Sequence, residues 1–316
     1  MARLGVLFPG QGAQHPGMGK LLWERFGCAR DVFAEASETL NRDIGQLCFD
    51  GTEEVLRETD TAQPALYTVG YAGWRALSEL LGNELVLVVG AGHSLGEYTA
   101  LAAAGAVSFA DGLRLVAERG RLMRRAGDEI PGMMVAVVGL GLEQVEEACA
   151  AARSRGPSTE VVVVANDNAP GQVVISGTPN GITVASAAAR DLGARRVIPL
   201  ATSGAFHSPL MEPAAGELSR AIDVAPLGRA ICPIIANTTA MPIQEPAEIR
   251  AELTAQLCAR VRWVETVRRM QQYQVDAMIE LGPGQVLTGL VRRIESGMKV
   301  LSIGDGDGFD AVVASL

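Results

Sequence analysis

The part of this chain best suited to covalent chemistry is Gly92-His93-Ser94-Leu95-Gly96. It fits G-x-S-x-G, in which a serine sits on a strained strand-to-helix turn with its hydroxyl pushed out above a sheet. The context agrees. Leu85 to Val89 is a continuous apolar run that reads as a buried strand, and Glu97 to Ala104 is small and helix-prone. The amides at the start of that helix would face negative charge developing beside Ser94.

A serine nucleophile needs a base, and the chain has three histidines: His15, His93 and His207. His93 adjoins the serine and is expected to point away on the other side of the turn. His15 lies in a loop of Gln, Gly and Pro. His207 lies in Ser203-Gly204-Ala205-Phe206-His207-Ser208-Pro209, between a strand and the next helix, and elimination makes it the base. The competing reading is a histidine satisfied within the core. No carboxylate completes a triad; Asp191 has the right chain order but belongs to a predicted helix. With Gly112 to Arg125 as a helix at about 100° per residue, Arg119 falls between Leu115 and Met123 on the apolar side. A buried guanidinium needs an anion. Spacing tips slightly toward an internal Asp or Glu, and a clamp on a substrate carboxylate stays open.

These groups need a scaffold. Gly5 to Phe8 reads as a buried strand that breaks into Pro9-Gly10-Gln11-Gly12. Leu21 to Leu40 and Ala62 to Leu81 read as helices. Helix, buried strand, glycine turn and helix predict a parallel α/β sheet. The middle of the chain differs. Met133 to Val138 is a strand and Leu142 to Arg153 a helix. Strands Val161 to Ala165 and Val173 to Ser176 are joined by a turn from Asn166 to Gly171. Ile182 to Leu192 is a helix and Arg196 to Leu200 a strand. This β-α-β-β-α-β order is the split pattern of ferredoxin-like domains, over residues 128–201 inside a larger unit of 1–127 and 202–316. Ile234 to Ala236 and Ala277 to Glu280 are later short strands.

Composition narrows the function. The 316 residues are 48% hydrophobic, enough for a sizeable core, and the net charge of −9 argues against nucleic acid as a partner. Among 27 basic residues only Lys20 and Lys299 are lysines, and arginine suits planar recognition of carboxylate or phosphate. Arg260, Arg262, Arg268, Arg269, Arg292 and Arg293 concentrate positive charge late in the chain. Cys28, Cys48, Cys149, Cys232 and Cys258 form no C-x-x-C pair, so buried thiols are expected rather than zinc. No signal-like start and no apolar run of membrane length is evident, which points to a cytoplasmic protein. Gly10-Gln11-Gly12 fails the dinucleotide pattern, and Asp305-Gly306-Asp307-Gly308 lacks the rest of a calcium loop, so no metal is expected.

Five segments also carry a resemblance: Phe8 to Gln14, Gly92 to Tyr98, Asn166 to Gly177, Gly204 to Ser208 and Gly282-Pro283-Gly284. Together, in order and across the whole chain, they resemble the malonyl-CoA:acyl carrier protein transacylases of fatty-acid and polyketide synthesis. The resemblance implies an α/β-hydrolase-like core plus a ferredoxin-like subdomain. It implies Ser94 as nucleophile, His207 as base, and a main-chain carbonyl, that of Gln256, orienting the histidine in place of a carboxylate. It implies Gln11 and Leu95 amides as the oxyanion hole and Arg119 as the malonate-carboxylate ligand. It implies Phe206 as a pocket residue favouring malonyl over methylmalonyl. Malonyl-CoA and an acyl carrier protein are the implied partners, with no cofactor, and a monomer is expected. Such carriers are acidic, so the late arginines become a candidate docking surface. The rival readings are an editing acyl-carrier-protein hydrolase on the same fold, which tends to lack the arginine, a generic esterase, and a non-catalytic binding module.

Overall fold

A computed structural model describes residues 1–157 and 160–315. Its ten strands, in chain order, are β1 (Ala2–Phe8), β2 (Leu85–Gly92), β3 (Met133–Val138), β4 (Val162–Ala169), β5 (Gln172–Gly177), β6 (Arg196–Pro199), β7 (Ile234–Ile235), β8 (Pro242–Ile243), β9 (Ala277–Glu280) and β10 (Val300–Ser302). They form two sheets. The larger has the order β10-β9-β1-β2-β7-β8 and the smaller β4-β5-β3-β6.

In the larger sheet every pair is parallel except β7 with β8. A parallel sheet needs cover on both faces, and successive side chains of a strand point to opposite faces. Strand β1 shows this: Leu4, Val6 and Phe8 enter one apolar cluster, and Leu7 enters another with Val89 and Ala91. The first cluster includes the helices Thr59–Leu81 and Phe109–Glu129. The second lies under Trp263–Gln271 and Val286–Ile294.

The smaller sheet is antiparallel throughout, with β5 between β3 and β4, the split arrangement expected of the middle segment. Its alternation decides what it does. Val135, Val137, Val173 and Ile175 pack with the helices Leu142–Arg155 and Pro179–Asp191. Met134, Ala136 and Val174 face the other way, into the main core.

Several elements differ from the sequence reading. The span 21–40 is two helices, Lys20–Arg25 and Gly27–Leu40, because Phe26 is extended (φ −120°, ψ 128°) and packs its ring 4.9 Å from Phe309. The helix predicted from Ala62 starts earlier, at Thr59. The turn predicted from Asn166 is mostly strand; β4 runs to Ala169 with register shifts that let the chain bend there. Strands β8 and β10 are too short to stand out in the sequence. All five cysteines are free. Among the described residues, no helix is long and apolar enough to cross a membrane, and no group of His, Cys, Asp and Glu is placed to hold a metal.

Candidate active site

Ser94 stands at the carboxyl end of β2, directly before the helix Leu95–Ala103. Its backbone has φ 51° and ψ −104°, in the left-handed half of the map that a non-glycine residue occupies at a cost of about 1–3 kcal/mol. The flanking glycines make the turn possible. A Cβ on Gly92 would meet the Gly96 backbone, and a Cβ on Gly96 would meet the Phe8 carbonyl. The sharp turn, not side-chain chemistry, dictates both.

The Ser94 hydroxyl lies 2.8 Å from His207 Nε2. The imidazole is held from behind, its Nδ1 3.0 Å from the carbonyls of both Gln256 and Ala259. Two acceptors at Nδ1 fix the proton there and leave Nε2 to accept from the serine. His207 is 4% exposed, with φ 57°, and its own amide donates to the Leu257 carbonyl. Burial, then the nearby Arg119 guanidinium and His93, push its pKa down to about 3. It is therefore a neutral imidazole at ordinary pH. Asp191 takes no part; it is exposed at the end of its helix.

Arg119 is 1% exposed, on the helix Phe109–Glu129 that Ser108 caps by accepting the Asp111 amide. The guanidinium donates to Gln63 Oε1 at 2.8 Å, to Gln256 Oε1 at 3.0 Å and to Ser94 Oγ at 2.9 Å. It also lies 5.5 Å from the centre of the Tyr98 ring. Burial lowers its pKa, yet a guanidinium remains charged in proteins. Among the described residues no carboxylate makes an ion pair with it. The internal salt bridge toward which spacing leaned is absent; neutral amide oxygens surround a buried cation beside the serine.

These groups border one cleft of about 350 Å³ between the two sheets. Gln11 and Leu95 line it, and among the described residues no protein group accepts either main-chain N–H. The Gln11 side chain donates to Thr59 Oγ1 at 3.2 Å. Phe206, Met123, Met134, Val174 and Leu200 give the cleft its apolar wall. His93 lines the cleft, with Nε2 2.8 Å from Asn168 Oδ1 and its ring 5.4 Å from Trp263, so it is occupied away from the serine. His15 is remote from this chemistry and pairs with Asp305 at 3.0 Å.

Sequence reading missed the polar frame of the site. Gln63 is fully buried and binds Arg119. The Gln256 side chain donates to the Ser94 carbonyl at 2.9 Å and to Glu97 Oε2. Glu97 is fully buried, and burial with neighbouring Glu252 holds its carboxyl well above the usual range. Gln63 could have been noticed as a polar residue in an otherwise small and apolar helix. The others had no sequence signal. The late arginines are less free than their number implied. Arg260 pairs with Glu146, Arg262 with Glu265 and Arg268 with Glu295.

A serine on a glycine-flanked elbow, a buried neutral imidazole behind it and a buried cation beside it are the means of acyl transfer through a serine ester. The family model for the acyl transferase domain matches residues 6–303, and the chain belongs to that family. Its relatives are more particular. It is 40% identical over 316 residues to a malonyl CoA-acyl carrier protein transacylase of Bacillus subtilis, across 100% of this chain and 98% of the relative. Its fold is similar to an acyl carrier protein S-malonyltransferase from Vibrio cholerae, with TM-score 0.92 and 39% identity over 98% of this chain and 100% of that one. It is also similar to a chain in the solved complex of a type II PKS acyl-carrier protein with its malonyl-transacylase, with TM-score 0.93 and 36% identity over 100% of both chains.

Proposed function

We propose that this enzyme moves a malonyl group from malonyl-CoA to the phosphopantetheine thiol of an acyl carrier protein, through an ester on Ser94. The observation that carries this reading is Arg119, a buried cation that among the described residues has no carboxylate in ion-pair contact and donates to the nucleophile's own oxygen. A malonyl group brings the missing anion to the serine that it acylates. Arginine's planar fork can hold that carboxylate with two parallel hydrogen bonds.

The steps follow from the proton positions. His207 Nε2 takes the Ser94 proton as the oxygen attacks the thioester carbonyl. The amides of Gln11 and Leu95 receive the oxyanion, one such donor being worth about 2.7–4 kcal/mol. The carbonyls of Gln256 and Ala259 steady the imidazolium through Nδ1–H. The C–S bond breaks, and CoA leaves as the thiol with the proton from His207. The carrier's thiol then gives its proton to His207 and attacks the ester, and Ser94 recovers a proton as the malonyl group departs. Burial and the nearby Arg119 guanidinium keep the base neutral between steps, while the two carbonyls fix the Nδ1 proton. Phe206 would crowd an α-methyl group and so favour malonyl. In this reading residues 1–127 and 202–316 form the catalytic unit, and 128–201 a subdomain that walls the acyl pocket. Five free thiols suit a cytoplasmic setting.

Intact-mass measurement tests the proposal. Incubation with malonyl-CoA should give a stable malonyl adduct that Ser94→Ala abolishes, and a phosphopantetheinylated carrier should remove it and gain the group. Free malonate released without transfer, or no adduct at all, would contradict it.

A further inference from the structure

We infer that Asn237 is a positioning residue whose side-chain amide clamps the serine elbow from both sides. The inference rests on the proposed role of Ser94 as nucleophile. Strand β7 lies parallel to β2 with Ile234 opposite Gly90. That register carries both chains to the same end of the sheet, so Asn237, just past β7, arrives beside the turn.

Asn237 Oδ1 accepts the Ser94 N–H at 2.7 Å, and Asn237 Nδ2 donates to the Gly92 carbonyl at 2.7 Å. One partner can only donate and the other only accept, so the orientation of the amide is fixed by the network. The residue is fully buried. Both partners are main-chain groups of the turn that a buried site must satisfy. Asparagine supplies one acceptor and one donor at this spacing; aspartate would set a second oxygen against the Gly92 carbonyl, and an apolar residue would supply neither bond. A positive-φ serine persists only where its surroundings hold it, and this amide spans the two peptides that precede it. The direction of the Ser94 hydroxyl and of the Leu95 amide that follows depends on those peptides.

The clamp is itself anchored. The Asn237 amide donates to Glu97 Oε1 at 3.0 Å, and its carbonyl accepts the Arg262 amide at 2.9 Å. The other oxygen of Glu97 accepts from the Gln256 side chain, whose main-chain carbonyl holds His207. Asn237 thus ties the nucleophile's turn to the segment that orients the base.

The test compares wild type with Asn237→Asp and Asn237→Ala. The malonylation rate constant per folded molecule should fall about tenfold or more in both variants, the cost of one or two buried hydrogen bonds at a reacting centre. Half-saturation by malonyl-CoA should stay near the wild-type value. A purely space-filling role would spare the isosteric aspartate variant. Wild-type rates in either folded variant, or a change confined to half-saturation, would overturn the inference. Hydrogen exchange of the Ser94 amide in the wild-type protein reads the clamp without any substitution. Slow exchange is expected, and exchange as fast as an exposed loop amide would overturn it. A wild type that takes no malonyl group would sink the proposed function instead, and the amide exchange would still decide the clamp.

Discussion

Around Arg119, a guanidinium that is 1% exposed meets amide oxygens, an aromatic face and the serine hydroxyl, and among the described residues no carboxylate pairs with it. Such a cation is costly to bury unless an anion arrives. Gln63 keeps the cation in place, so Gln63→Leu should lower kcat/KM for malonyl-CoA by about tenfold, the effect of one charge-assisted hydrogen bond, while leaving acetyl transfer less affected. Steady-state kinetics on the two thioesters checks this. His207 makes a second prediction. Its pKa is pushed down to about 3, so the neutral, proton-accepting form persists as pH falls well below the ordinary histidine range. The kcat/KM of the free enzyme should stay nearly flat from about pH 8 to about pH 5, since this profile reports the unliganded base. A fall centred near about pH 6.5, the unperturbed value, would contradict it. At this scale the sequence pointed to Ser94, His207 and Arg119, which the fold brings together, because an elbow and an inward arginine leave local patterns and only three histidines compete for the base. It hid Gln63, Glu97 and the Gln256 side chain, whose roles arise only when segments far apart in the chain converge.

At the scale of elements, the elbow is a matter of backbone approach. The Gly96 Cα faces the Phe8 carbonyl at the end of β1, and a methyl group has no room there. Gly96→Ala should destabilise the protein by about 1–3 kcal/mol or more, seen as a lower denaturant midpoint, because the clash is with backbone and cannot be relieved by a rotamer. An unchanged midpoint would contradict the close approach. Two strands fall where the apolar runs predicted: β3 at Met133–Val138, which gives Met134 to the cleft, and β9 at Ala277–Glu280. Boundaries set by tertiary packing were not legible. Phe26 breaks a helix because its ring belongs against Phe309, and Asn166 to Ala169 looks like a turn yet forms bulged strand beside the cleft.

At the scale of the molecule, the two sheets meet at the cleft, and neighbouring residues of one strand serve different ends. Val174 lines the cleft, while Ile175 packs under the small sheet's helices. Ile175→Ala should cost about 2–5 kcal/mol of stability with little change in KM. Val174→Ala should instead raise KM for malonyl-CoA with a smaller loss of stability. Melting curves and kinetics on the pair would show whether the strand's alternation divides the work in this way. Net charge, legible from composition, argued against a class of partner but said little about surface detail, since three of the six late arginines are paired with carboxylates. The central claim is that Arg119 selects the acyl group through its carboxylate. Its most direct test is the rate of Ser94 acylation by malonyl-CoA and by acetyl-CoA in wild type and in Arg119→Ala. The malonyl rate should fall by about 100-fold or more relative to the acetyl rate, the worth of a desolvated bidentate charge pair. An equal loss for both thioesters would contradict the account.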